Sequence, residues 1–159
     1  MDNIVKKNVL RLCTYGLYAL TAREGDNFAM MTINFLTQSS FMPPMIAVAI
    51  EEDSNTRRLV EKNGHFAVNI FSREQRDLAG LLGRKYANKP DKMDDVSWSY
   101  GPSTGAPIID EVLGWLECRV EGKILSGDHT LYVAEVIGAG GAAEGEPLTM
   151  LESGFRHSG

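Results

Sequence analysis

A β-barrel with helical excursions is the fold class that the 159 residues predict. Apolar and β-branched runs of strand length recur from residue 14 to residue 140, separated by turn residues. Only two stretches carry the caps and spacing of helices, and both lie mid-chain. There is no repeat, no heptad pattern and no linker rich enough to divide the chain, so residues 1–159 read as one domain.

"TYGLYALTA" (14–22) is a β-branched and aromatic run, and "REGDN" turns it into "FAMMTINFLTQSS", so residues 14–40 read as a hairpin of two strands. Pro43 and Pro44 remove two amide donors and end the second strand. "MIAVAI" (45–50) is continuous apolar sequence, as in a strand buried on both faces. "DSNTRRLVEKNG" (53–64) is a short helix, with Asp53 or Ser54 as N-cap and Gly64 as stop. "HFAVNIF" alternates and predicts a strand with one buried face, Phe66, Val68 and Ile70 inward. A second helix follows, with Ser72 and Gln75 as a capping box, Leu78, Leu81 and Leu82 at helical spacing, and Gly83 at its end. The polar, proline-interrupted segment 84–95 predicts a mobile loop and "VSWSY" a short strand. "EVLGWLECRVEGKIL" and "HTLYVAEVIGAG" form a long hairpin across "SGD", and the tail is loop with at most one short strand.

Several function classes are excluded. The net charge of −5 argues against a nucleic-acid binder. No apolar run approaches the roughly 20 residues of a membrane helix, and the start is too short in apolar residues for a signal peptide, so the expected location is cytoplasmic. Cys13 and Cys118 are isolated and read as reduced, buried thiols. His65, His129 and His157 make no metal-type pair, so no metal site is expected. Gly138, Gly140 and Ala143 have dinucleotide-fingerprint spacing, but Gly145 and Pro147 interrupt the helix that must follow, which leaves a flexible glycine loop.

The strand "MMTINFLTQSS" carries more hydrogen-bonding side chains than a strand core requires. One reading is a solvent-exposed hairpin end. The other is a polar edge for a flat heterocycle such as flavin, supplied by Thr32, Asn34, Thr37 and Gln38, because buried unpaired polar atoms cost ~1–3 kcal/mol each. The next segment favours the second. "DSNTRR" opens a helix whose free amides suit a phosphate, with Ser54, Asn55 and Thr56 as side-chain donors and Arg57 or Arg58 as charge. Taken alone, Arg57–Arg58 and Arg84–Lys85 would be ordinary solvated surface.

The stretches "MTINFLTQSSFMPPMIAVAI", "SNTRRLVEKNGHFAVNIFSREQRDLAGLLGR" and "GDHTLYVAEVIGAG" together resemble the flavin reductase-like, FMN-binding split-barrel family, over roughly residues 10 to 150. "YGLYALTAREGD" further resembles the branch of flavoredoxins, high-molecular-weight rubredoxins and the flavin reductase module of diflavin proteins. The resemblance implies a split β-barrel of Greek-key type with two inserted helices, and a homodimer holding FMN, or FAD in some members, near the subunit interface. Thr32, Asn34, Thr37 and Gln38 would line the isoalloxazine and ribityl chain. The Ser54-Asn55-Thr56 helix start, with Arg57, would hold the phosphate, and Arg84 and Lys85 would close over that end. His129 matches the family's histidine near the nicotinamide; without the resemblance it reads as a turn residue. The rubredoxin domain of the longer relatives does not follow here, so an electron acceptor would be a separate molecule, and a tyrosine-rich ending is missing from the tail.

The expected activity is NAD(P)H-dependent flavin reduction, with hydride passing from nicotinamide to flavin. The alternatives are an FMN-binding electron carrier reduced by a partner protein and a split-barrel protein without flavin.

Overall fold

The structure is a computed structural model and describes residues 1–141 and 144–157. Seven strands form one antiparallel sheet: β1 (Tyr18–Glu24), β2 (Asn27–Ile33), β3 (Leu36–Phe41), β4 (Pro44–Glu51), β5 (His65–Ile70), β8 (Gly114–Ser126) and β9 (His129–Gly141). Their order is β2-β1-β5-β8-β9-β4-β3. A flat sheet would hold its two edges ~29 Å apart at about 4.8 Å per strand. Yet the edge strands β2 and β3 are consecutive, and the Cα steps from Ile33 to Leu36 span at most ~11 Å. The sheet therefore curls into a barrel left open between β2 and β3, which is the split barrel.

Inside it lie Leu20, Ile33, Ile46, Val48, Ile50, Phe66, Val68, Cys118 and Tyr132. Helix α2 (Asn55–Asn63) contributes Leu59 and Val60 to this core and carries the chain from β4 to β5, across the sheet. Ser54 caps it by accepting from the Arg57 amide, and Gly64 ends it in the left-handed region at φ 72°. Helix α3 (Arg76–Leu82) packs outside β2, where Thr32 Oγ1 donates to Ala79 O at 2.6 Å. The Ser72–Gln75 capping box precedes it, around a short 3₁₀ turn.

Several expectations need correction. Strand β4 is fully buried on one face only, with Ile46, Val48 and Ile50 in the core and Met45, Ala47 and Ala49 half-buried on the other side. Residues 28–40 are not one strand: the chain breaks at Asn34–Phe35, and β2 and β3 occupy opposite sheet edges. Strand β5 is buried on both faces, because the small sheet of β6 (Trp98–Tyr100) and β7 (Pro107–Ile109) covers its outer side. There Asn69 accepts from the Ile109 amide at 2.8 Å and donates to Ala19 O and Pro107 O. Residues 138–141 are not a loop but the end of β9; a side chain at Gly140 would meet the Trp115 ring at 2.3 Å. Ala143 of the glycine pattern lies outside the described residues. Two more helices exist, α1 (Asn3–Leu10), capped by Asp2 and without buried residues, and α4 (Met150–Ser153) in the tail. Cys13 is exposed; Cys118 is buried, and burial, then the neighbouring Glu117 charge, pushes its thiol up to about 12, which suits a packing role. Among the described residues no helix is long and apolar enough to cross a membrane.

Candidate functional site

A cavity of about 630 Å³ opens between the end of β4, the start of α2, the β2–β3 link and α3 with the segment after it. That volume is within the ~300–1,000 Å³ of small-molecule sites. Because β4 ends beside the N-terminus of α2, the first helical amides face this space. Arg57 N donates to Ser54 Oγ, while the amides of Asn55 and Thr56 have no acceptor among the described residues. Ser54, Asn55 and Thr56 all line the cavity, with Thr56 buried.

Arg84 and Lys85 line it too, carried there by the C-terminus of α3. Lys85 Nζ sits 3.2 Å from Glu51 and 3.4 Å from Asp53, first Glu51 and then Asp53 raising its affinity for the proton. The segment 84–95 is pinned, against the expectation of a mobile loop. Lys92 is buried, and its ammonium donates to Leu82 O and Arg84 O at 2.8 Å each, closing the last carbonyl of α3 and one just beyond its end; burial lowers its pKa.

At the other end, Asn34 is 4% exposed and donates to His157 O at 3.0 Å. Phe35 beside it lies 5.5 Å from the His129 ring and 6.3 Å from the His157 ring. His129 opens β9 directly after the Gly127–Asp128 turn, and its Nδ1 lies 2.7 Å from Asp128 Oδ1, a contact that holds the Asp128 carboxyl below its usual range.

Eight of the eleven site residues expected from the sequence thus line one cavity: Thr32, Asn34, Ser54, Asn55, Thr56, Arg84, Lys85 and His129. The Thr32 hydroxyl is already engaged, tying β2 to α3. Thr37, Gln38 and Arg57 lie outside the lining of this cavity. Thr37 and Gln38 are solvent-exposed on the edge strand β3, where Gln38 Nε2 donates to Ser40 O. Arg57 turns back along α2, donating to Glu52 O at 2.8 Å and pairing with Glu52 and Glu61. Glu61, four residues on, was the legible sign of that pairing. Arg58 is the guanidinium that reaches the cavity instead. Phe35, Lys92, Arg156 and His157 also line it. No local pattern marks the last two, because only the return of the tail brings them there.

The fold and cavity define a split-barrel protein with a phosphate-type helix start at one end and an aromatic and imidazole cluster at the other. Residues 10–159 match the flavin reductase like domain, and the chain belongs to that family. It is 29% identical over 141 residues to the high molecular weight rubredoxin of Moorella thermoacetica, covering 88% of this chain and 62% of that protein. The chain therefore spans about three fifths of that relative's length. It is 30% identical to the reductase component of the 4-nitrophenol 4-monooxygenase/4-nitrocatechol 2-monooxygenase of Rhodococcus opacus, covering 99% of this chain and 82% of that one. The NADH:FAD oxidoreductase SgcE6 of Streptomyces globisporus C-1027, solved in complex with NAD and FAD fragments, superposes with a TM-score of 0.83 at 26% identity, over 93% of this chain and 87% of that chain.

Proposed function

We propose that the chain is an NAD(P)H-dependent flavin reductase that holds FMN in the 630 Å³ cavity. The observation that carries this reading is the joining, in one cavity, of the open α2 amides, the cations Arg58 and Arg84, and the His129–Phe35 cluster. These residues fit a flavin mononucleotide: unacceptored amides beside two guanidinium groups suit a phosphate dianion, and Ala29, Met30 and Ile33 give an apolar wall for a ring system. A bound flavin supplies the redox chemistry, accepting hydride from the nicotinamide. The protein's share is binding and alignment. Asn55, Thr56, Arg58 and Arg84 would hold the phosphate, with Lys85 beside them, and His129, oriented by Asp128, would position the nicotinamide. Family relatives named as NADH-dependent flavin reductases, in Agrobacterium fabrum and Pseudomonas fluorescens, support the reading.

The test is anaerobic addition of NADH or NADPH to the FMN-loaded protein. Loss of the visible flavin band with either donor is the expected result, and no bleaching with both overturns it. A second reading, an FMN electron carrier reduced by a partner protein, draws on the similarity to the Moorella rubredoxin. That reading requires the failed bleach. In either reading the expected location is the cytoplasm, whose reducing state suits a free, exposed Cys13.

The proposal includes a homodimer. Strand β3 is an open sheet edge, and the tip of its hairpin leaves Phe41 89% and Met42 92% exposed. Thr37 and Gln38, on that same edge, would then face the second copy, the remaining route by which they could meet a flavin. Replacing Phe41 and Met42 together with aspartate is expected to convert a dimer to a monomer in light scattering, with an unchanged circular-dichroism spectrum. A wild-type monomer at micromolar concentration would remove the dimer from the reading.

A further inference from the structure

From residue 14 onward, nearly every cation has a partner. Arg57, Lys62, Arg73, Arg76, Lys85, Lys89, Arg119 and Lys123 pair with carboxylates. Lys92 caps carbonyls, and Arg23 lies over the Tyr100 ring at 4.4 Å. Among the described residues from 14 onward, three remain without a carboxylate, carbonyl or ring partner: Arg58, Arg84 and Arg156. All three line the cavity. Lys6, Lys7 and Arg11, on and just after the exposed helix α1, are also unpaired but lie away from the cavity.

Arg58 and Arg84 belong to the α2 end, Arg58 on the helix itself and Arg84 next to Lys85, whose ammonium reaches Asp53. Arg156 comes from a different element. Its neighbours on both sides are anchored: Arg76 Nε donates to Ser153 O at 2.7 Å, the Arg76 guanidinium lies 5.0 Å from the Phe155 ring centroid, and His157 O accepts from Asn34. Phe155 also packs on α3 at Gly80, where an added Cβ would meet its ring at 3.2 Å. The tail is thus a strap from α3 to the β2–β3 link, and its exposed Arg156 stands at the cavity's mouth beside the Phe35–His129–His157 cluster.

A flavin phosphate is served by the α2 start with Arg58 and Arg84. A nicotinamide dinucleotide brings a pyrophosphate as well, and it must approach from the mouth once a flavin fills the interior. A protein of net charge −5 repels such a donor unless a local cation offsets the field. We propose that Arg156 docks the pyrophosphate of the nicotinamide donor, as a positioning and specificity residue. The proposal rests on the flavin reductase reading and adds a residue to its donor side.

The experiment compares FMN-loaded wild type with Arg156→Gln and Arg156→Lys, measuring NAD⁺ binding by calorimetry, FMN affinity by fluorescence quenching, and steady-state NADH oxidation. Arg156→Gln is expected to raise the NADH KM and the NAD⁺ dissociation constant about tenfold, the loss of one charge-assisted contact, with kcat and FMN affinity within about twofold. Arg156→Lys is expected to restore most of the NAD⁺ affinity. Unchanged NAD⁺ affinity in Arg156→Gln overturns the proposal, as does a loss of FMN affinity equal to the loss of NAD⁺ affinity. A wild type that neither binds NAD⁺ nor bleaches with NADH or NADPH overturns the reductase reading and this proposal together. A wild type that bleaches, beside an Arg156→Gln variant indistinguishable from it, overturns the proposal alone.

Discussion

Replacing Arg58 and Arg84 together with glutamine is expected to weaken FMN binding by about 100-fold and riboflavin binding by no more than about twofold. The two ligands differ only in the phosphate, so the ratio isolates the end of the cavity where these cations lie. Each guanidinium offers a hydrogen bond to an ionised group, worth ~1.5–3 kcal/mol when buried, and the exposure of both side chains discounts that to roughly tenfold apiece. Neither cation is neutralised in the protein, so neither must first leave a carboxylate. Lys85 differs here: held by Glu51 and Asp53, its ammonium must exchange those partners for the phosphate, and Lys85→Gln alone is expected to have the smaller effect. Equal losses for FMN and riboflavin would place the phosphate elsewhere.

The Glu117→Leu variant is expected to lose about 3–5 kcal/mol of folding stability, seen as a thermal midpoint lower by roughly 10 °C for a domain of this size. Glu117 is fully buried on β8, and its carboxylate accepts from the Ser103 amide at 3.0 Å and from the Thr104 amide and hydroxyl at 2.7 Å each. The site was built around it. A Cβ at Gly101 would lie 2.3 Å from Glu117 Oε1, and one at Gly138 would lie 3.0 Å from Oε2. Leucine fills part of the volume but leaves three donors without an acceptor. Glu117→Gln keeps one acceptor oxygen and is expected to fall between the two. A melt within about 2 °C of wild type for Glu117→Leu would show that the loop at 101–106 finds water instead.

Local signals revealed much of this site. The Ser54 cap, the Gly64 stop and the Ser72–Gln75 box are interactions within one helical turn, so residue type at fixed spacing suffices to predict them. The long β8–β9 hairpin depends on a two-residue turn at Gly127–Asp128 and was equally legible. The break at Asn34 was not. Apolar alternation runs through "TINF" and slips by one residue at Leu36, a slip that a bulge within one strand would equally produce; what divides the strands is the requirement that β2 and β3 close a curled sheet from opposite sides. Placing Thr37 and Gln38 with Thr32 followed from reading one strand where there are two. Glu117 and Asn69 escaped notice for a related reason, since their partners at 103–109 lie more than ten residues away in sequence and reach them only when the β6–β7 hairpin folds onto the sheet.

By itself the sequence determined the two mid-chain helices with their caps, most of the strands and the chemistry available near α2, because each depends on contacts within a few residues. Only the tertiary structure decided which polar groups share a cavity. Curling the sheet brings the β2–β3 link beside the end of β4 and the start of β9, α3 delivers Arg84 and Lys85 to the helix start, and the tail adds Arg156. It also chose Arg58 over Arg57, since the turn of α2 that directs one guanidinium at the cavity directs its neighbour back to Glu52 and Glu61. Proximity across more than a hundred residues, as between Asn34 and His157, is set by how the whole sheet closes and leaves no periodic trace in the chain.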